Sequence, residues 1–96
     1  MRPSEALERH RVEIRAAARR HRTTNPRVFG SVLRGTDTEE SDIDILVDAL
    51  PGATLFDLGG LLNELEELLG VRVGLVTPGD LHRRFRERVV SEAKAI

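Results

Sequence analysis

Residues Val28 to Asp48, VFGSVLRGTDTEESDIDILVD, decide the fold. A short apolar run ends in Gly30-Ser31, and ten residues then separate Ser31 from Asp42-Ile43-Asp44. The alternation from Asp42 to Val47 predicts a strand with Ile43, Ile45 and Val47 on one face and Asp42, Asp44 and Leu46 on the other. Side chains two apart on a strand point the same way, about 7 Å apart along the chain, so the two carboxylates are neighbours. Two acids that close repel unless a cation lies between them or one takes a proton. Hard oxygen ligands suit Mg²⁺ or Mn²⁺, and Mg²⁺ takes one or two carboxylates plus phosphate oxygens. An isolated Asp-x-Asp is most often a solvated strand face. The Gly-Ser pair upstream changes that reading. If strands Arg27–Phe29 and Asp42–Val47 are antiparallel, Ser31 lies near Asp42. Gly30 then lets a ligand approach the backbone, and the amides of Ser31, Val32 and Leu33 in a helical turn can receive phosphate. Anion donors beside an acid pair describe a nucleoside triphosphate–metal site.

Working outward, Ser4 is read as the cap of one helix running to about His21, stopped by Thr23-Thr24-Asn25-Pro26. Ser31 to Arg34 makes one helical turn closed by Gly35, and Thr36 to Ser41 is loop. Asp48 lies beyond the acid pair and reads as a strand-end solvent residue. Thr54-x-x-Asp57 is a capping box for the clearest helix, with Leu58, Leu61, Leu62, Leu65, Leu68 and Leu69 as its apolar stripe and Gly70 after its end. Gly59-Gly60 inside it costs about 1 kcal/mol per glycine against alanine, which predicts close packing there. Val71 to Val76 is a third strand. Thr77-Pro78-Gly79-Asp80 opens a last helix whose buried side is Leu81, Phe85, Val89 and Ala93. The fold class is α/β (α+β): a small mixed three-stranded sheet with covering helices, in the order αβ(α)βαβα. The first two strands are antiparallel, and the second and third are parallel across a helical crossover.

The composition limits the alternatives. A chain of 96 residues is expected to form one domain over 1–96. It has no cysteine, so disulfides and thiolate metal sites are excluded. No apolar run reaches the roughly 18 residues of a membrane span, so a cytoplasmic location is expected, with no membrane partner. The net charge of −1 gives no field for nucleic acid, which is not an expected partner. The charge is uneven, however. Arg9, Arg11, Arg15, Arg19, Arg20, Arg22 and Arg27 crowd one end, and no basic residue occurs from Asp37 to Glu67. His10, His21 and His82 lack ligand spacing, and the arginine run around Phe85 reads as a solvated helix face.

Gly30-Ser31-x10-Asp42-x-Asp44 resembles the signature of the polymerase-β-type nucleotidyltransferase superfamily. Gly30-Ser31-x-x-Arg34-Gly35, Ser41-Asp42-Ile43-Asp44-Ile45-Leu46-Val47, Phe56-Asp57-Leu58 and Leu75-Val76-Thr77-Pro78 are similar to its smallest branch, the minimal nucleotidyltransferases. The resemblance implies the nucleotidyltransferase fold and an antitoxin that transfers AMP from Mg-ATP to a hydroxyl of a HEPN-type toxin. It also implies Asp42 and Asp44 as catalytic ligands of two metal ions, Mg²⁺ or Mn²⁺, with ATP as substrate. Gly30, Ser31 and Arg34 would bind the nucleotide. One position departs from the pattern. The third carboxylate of the branch falls in a Val-Asp-Leu-Val run, and here that run is Val73-Gly74-Leu75-Val76. The alternative is therefore a nucleotide-binding antitoxin that acts by protein contact.

Overall fold

A computed structural model describes all 96 residues. Its central strand is β2 (Ile43–Ala49), and Ile43, Ile45 and Val47 are buried in the main core as the alternation requires. β1 (Thr23–Phe29) runs antiparallel to β2, with Phe29 paired to Asp44 and Val28 to Ile45. β3 (Val73–Val76) runs parallel to β2 on its other side, with Asp44 paired to Gly74. These three strands bear out the antiparallel and parallel pairings expected from loop lengths.

The sheet has a fourth strand. β4 (Lys94–Ala95) pairs antiparallel with β1, giving the order β3-β2-β1-β4. Two residues carry no periodicity, so the expected three-stranded sheet omitted it. β1 also begins at Thr23, where only a helix stop was expected. Asn25, at φ 55°, and Pro26 form an irregularity between Thr24 and Arg27, which is how a strand accommodates a proline. Pro26 contributes a carbonyl that accepts from the Ile96 amide at 2.9 Å.

The first helix is two helices, α1 (Pro3–Arg9) and α2 (Arg11–Arg20), separated at His10. Between Leu7 and Ile14 the only aliphatic residue is Val12, which is exposed, so no apolar contact carries one straight axis across the break. Ser4 does not cap α1, because Pro3 already occupies its first turn. The Ser4 amide donates to the Asp37 carboxylate at 2.9 Å, so a buried acid from a distant loop serves that helix end. The arginine-rich α2 works partly within the fold. Arg11 and Arg15 donate to carbonyls of the β4 segment, and Arg20 pairs with Glu64.

α3 (Gly30–Arg34) follows β1 directly and ends at Gly35, which has φ 74°. α4 (Leu55–Leu69) carries the full Thr54–Asp57 capping box and ends on left-handed Gly70. Its Leu61, Leu65 and Leu69 fill the core between sheet and helices, each contributing about 1.5–3 kcal/mol by burial. Of the glycine pair, only Gly60 is closely packed. A Cβ there would lie 2.9 Å from Cε1 of His21, whose Nε2 is held by Glu64 at 2.9 Å, whereas Gly59 faces open space.

The last helix starts later than the Thr-Pro-Gly-Asp signature suggests. Thr77 and Asp80 cap only a single 3-10 turn, Pro78–Asp80. Leu81 is then extended, and α5 (Arg83–Glu92) begins after His82, whose Nδ1 accepts from the Arg84 amide. The expected buried side is not buried, since α5 has no buried residue and Phe85 is half exposed. α5 carries the chain from the β3 edge to the β4 edge. No helix is long and apolar enough to cross a membrane.

Candidate functional site

The β1–β2 ladder ends at the Phe29–Asp44 pair, and α3 begins at the very next residue, Gly30. The turn into α3 therefore stands against the acid-bearing end of β2. Gly30 makes this approach possible in two ways. Its φ of 74° is the left-handed region that side chains disfavour, and a Cβ on it would lie 2.2 Å from Asp44 Oδ2. On the other side a Cβ on Gly74 would lie 2.8 Å from Asp44 Oδ1. Asp44 thus sits in a slot between two glycines, Gly30 at the start of α3 and Gly74 on β3. Sequence spacing alone pointed to Gly30; the contribution of Gly74 to this slot appears only in the pairing of β2 with β3.

Burial in this slot pushes the Asp44 carboxyl above the ordinary aspartate range, and the charge of Asp42 adds to the push while Arg34 opposes it. Arg34 is exposed at the end of α3, close enough for its charge to be felt by Asp44. Asp42 is more open and accepts an ion pair from Arg72 Nε at 3.3 Å. All five sequence-predicted residues, Gly30, Ser31, Arg34, Asp42 and Asp44, come from the β1–α3 turn and the start of β2. The open first-turn amides of α3 are the anion donors that such a turn presents. Two half-open carboxylates beside those amides suit a hard divalent cation shared with phosphate oxygens.

Asp48 lies outside this group, and it is not simply a solvent residue. Its Oδ1 accepts from Arg27 Nη2 at 2.6 Å, and Arg27 is buried, so Asp48 neutralises a cation inside the fold. Asn25 donates to the other oxygen of Asp48. The missed residue nearest the site is Arg72. Its position beside Asp42 follows from strand register, to which single-sequence pattern gives no access. Gly74 faces the acid side as expected and offers no ligand. Nowhere do three or more His, Cys, Asp or Glu side chains converge in a metal-binding group.

A mixed sheet with Asp44 on its second strand, Asp42 just before that strand and a Gly-Ser turn against Asp44 defines a nucleotidyltransferase domain. The family model described as a nucleotidyltransferase domain matches residues 12–96. A solved structure assigned to the minimal nucleotidyltransferases superposes with TM-score 0.84 at 43% identity, covering 97% of this chain and 93% of that one. The chain belongs to this family, in its minimal nucleotidyltransferase branch. The protein adenylyltransferase MntA of Thermococcus cleftensis is 43% identical over 65 residues, 68% of this chain and 66% of its own. A crystal structure of a toxin–antitoxin with AMP-PNP superposes with TM-score 0.74 at 26% identity, covering 88% of this chain and 70% of that one.

Proposed function

We propose that the chain is an antitoxin that binds ATP with a divalent cation and transfers AMP to a hydroxyl of a HEPN-type toxin. The observation that carries this reading is the apposition of the Gly30 turn and Asp44, which sets anion donors beside a carboxylate pair. The relative named as a protein adenylyltransferase and the toxin–antitoxin neighbour with AMP-PNP support the choice of nucleotide and partner.

The chain's own groups divide the work. The Gly30-Ser31 turn and the α3 amides receive the triphosphate, and Arg34 offsets its charge. Asp42 and Asp44 hold the cation, Mg²⁺ or Mn²⁺, which when bound neutralises charge developing on the phosphate oxygens. The acceptor hydroxyl oxygen attacks the α-phosphorus, the bond to the pyrophosphate oxygen breaks, pyrophosphate leaves, and the hydroxyl proton passes to solvent water. Gly74 has no side chain to take that proton. A positioned base contributes typically about 10²–10⁴-fold, so slow transfer is expected from the chain alone.

The same position favours a second reading, in which the chain binds nucleotide and neutralises its toxin by contact. ATP labelled at the α-phosphate, incubated with the chain and a HEPN-type toxin, separates the two. Label retained on the toxin, with none from γ-labelled ATP, is the expected result. ATP binding with no label on the toxin, even for Gly74→Asp, would leave contact as the better account.

A further inference from the structure

Resting on the reading of this site as a nucleotide site, we infer that it holds a single divalent ion and that Arg72 stands where a second would be coordinated. The resemblance implies two ions on Asp42 and Asp44, and the residues present do not fit two. On β3 the residue paired with Asp44 is Gly74, which faces the Asp44 carboxylate and offers no carboxylate of its own. The cation nearest Asp42 is the Arg72 guanidinium, 3.3 Å away. The Arg72 main chain is fixed next to β2, since its carbonyl accepts from the Ile43 amide at 3.0 Å.

A two-ion site sets the ions about 3.5–4 Å apart, with oxygens shared between them and further ligands on each flank. Mg²⁺ demands a near-ideal octahedron but completes it readily with one or two carboxylates, phosphate oxygens and water. Asp42, Asp44 and a triphosphate satisfy one such ion. A second would have to share the same oxygens with no flanking carboxylate and a guanidinium beside it. Arg72 pairs with Asp42 and the charge of Arg34 reaches Asp44, so the site is less negative than two bare carboxylates before any ion enters. Arg72 is 82% exposed, so its pair with Asp42 is weak and yields to the first ion. Its charge still opposes every added dication.

Mn²⁺ titrated into the full chain, with and without a non-hydrolysable ATP analogue, counts the ions by the paramagnetic resonance of the free metal. One bound ion per analogue-loaded chain is expected for the wild type. Arg72→Gln, which removes the charge and keeps the bulk, should tighten binding of Mn²⁺ alone by about 3- to 10-fold for a unit charge some ångströms from the ion. Gly74→Asp should raise the count to two. Two ions on the wild type overturn the inference, as does Arg72→Gln leaving the affinity unchanged. A folded Gly74→Asp that still holds one ion would remove the missing carboxylate as the cause. One Mn²⁺ bound with no affinity for the analogue would sink the nucleotide reading while leaving the single-ion site standing. No Mn²⁺ bound under any condition would sink both.

Discussion

Replacing Gly30 with alanine tests the geometry on which the site depends. Gly30 and Gly35 share the same backbone conformation, φ 74°, but a Cβ at Gly35 meets nothing within 4 Å. Gly35→Ala therefore measures the left-handed conformation by itself, about 1–2 kcal/mol. At Gly30 the new Cβ would lie 2.2 Å from Asp44 Oδ2 and 3.2 Å from its Cγ, so Asp44 must leave its position. Displacing a side chain from a good rotamer adds about 0.5–1.5 kcal/mol. Gly30→Ala should thus cost about 2–3 kcal/mol, a fall in Tm of roughly 10–20 °C for a domain this small. The collision part is separable by a double-mutant cycle. In an Asp44→Ala background the clashing oxygen is gone, the Asp44 Cβ is 3.4 Å from the new atom, and Gly30→Ala should cost no more than Gly35→Ala. Urea unfolding of the four proteins supplies the free energies, and the thermal shift caused by Mg-ATP should vanish in Gly30→Ala and persist in Gly35→Ala. Equal costs at 30 and 35, with no coupling to Asp44→Ala, would mean that Asp44 does not lie against Gly30.

Asp42→Asn with Asp44→Asn should abolish the rise in Tm caused by Mg²⁺ and ATP, since a ligand bound only by the folded state stabilises it; an unchanged shift in a folded double mutant would move the cation elsewhere. In α4, Gly59→Ala should gain up to about 1 kcal/mol of helix propensity, because its Cβ meets nothing, whereas Gly60→Ala should gain less or lose stability by pressing on His21. Differential scanning calorimetry of the two variants decides it, and equal gains would show that His21 moves aside freely. Asp37→Ala should remove the support of the α1 end and cost about 1 kcal/mol, as for a lost helix cap. The Ser4 amide hydrogen bond holds the Asp37 carboxyl below the ordinary aspartate range, so its contribution is full above the unfolded pKa near 3.9 and is lost as pH falls through the lower folded value. The wild-type advantage over Asp37→Ala in urea should therefore be constant above about pH 5 and shrink below about pH 4; a gap that persisted at pH 2 would refute the charged cap.

Much of the site was legible because its information is local. The alternation of Ile43, Ile45 and Val47 against Asp42, Asp44 and Leu46 determines which side chains share a face, whatever the strand is paired with. Loop lengths then set the directions of the three strands, and Gly30-Ser31 falls beside the acids once those directions are chosen. The Thr54–Asp57 box and Gly70 mark both ends of α4 for the same reason, since each cap bonds only within a few residues. The Thr77–Asp80 box shows the limit of such signals: it forms, yet it caps one turn, because continuation depends on what α5 can bury, and α5 has no fully buried residue.

Tertiary structure alone decided the rest. β4 is two residues long, Arg27 finds Asp48, Ser4 finds Asp37, and Arg72 finds Asp42. Each pairing joins chain positions at least 21 residues apart, and its formation depends on register across the sheet or on a loop folding back over a helix end. A polar or charged residue carries no mark of the partner it will meet, because long-range contacts are set by the core that closes between them. Gly74 shows the division at a single residue. Its lack of a carboxylate is visible in the sequence, but that it leaves room for Asp44 is visible only where β3 lies against β2.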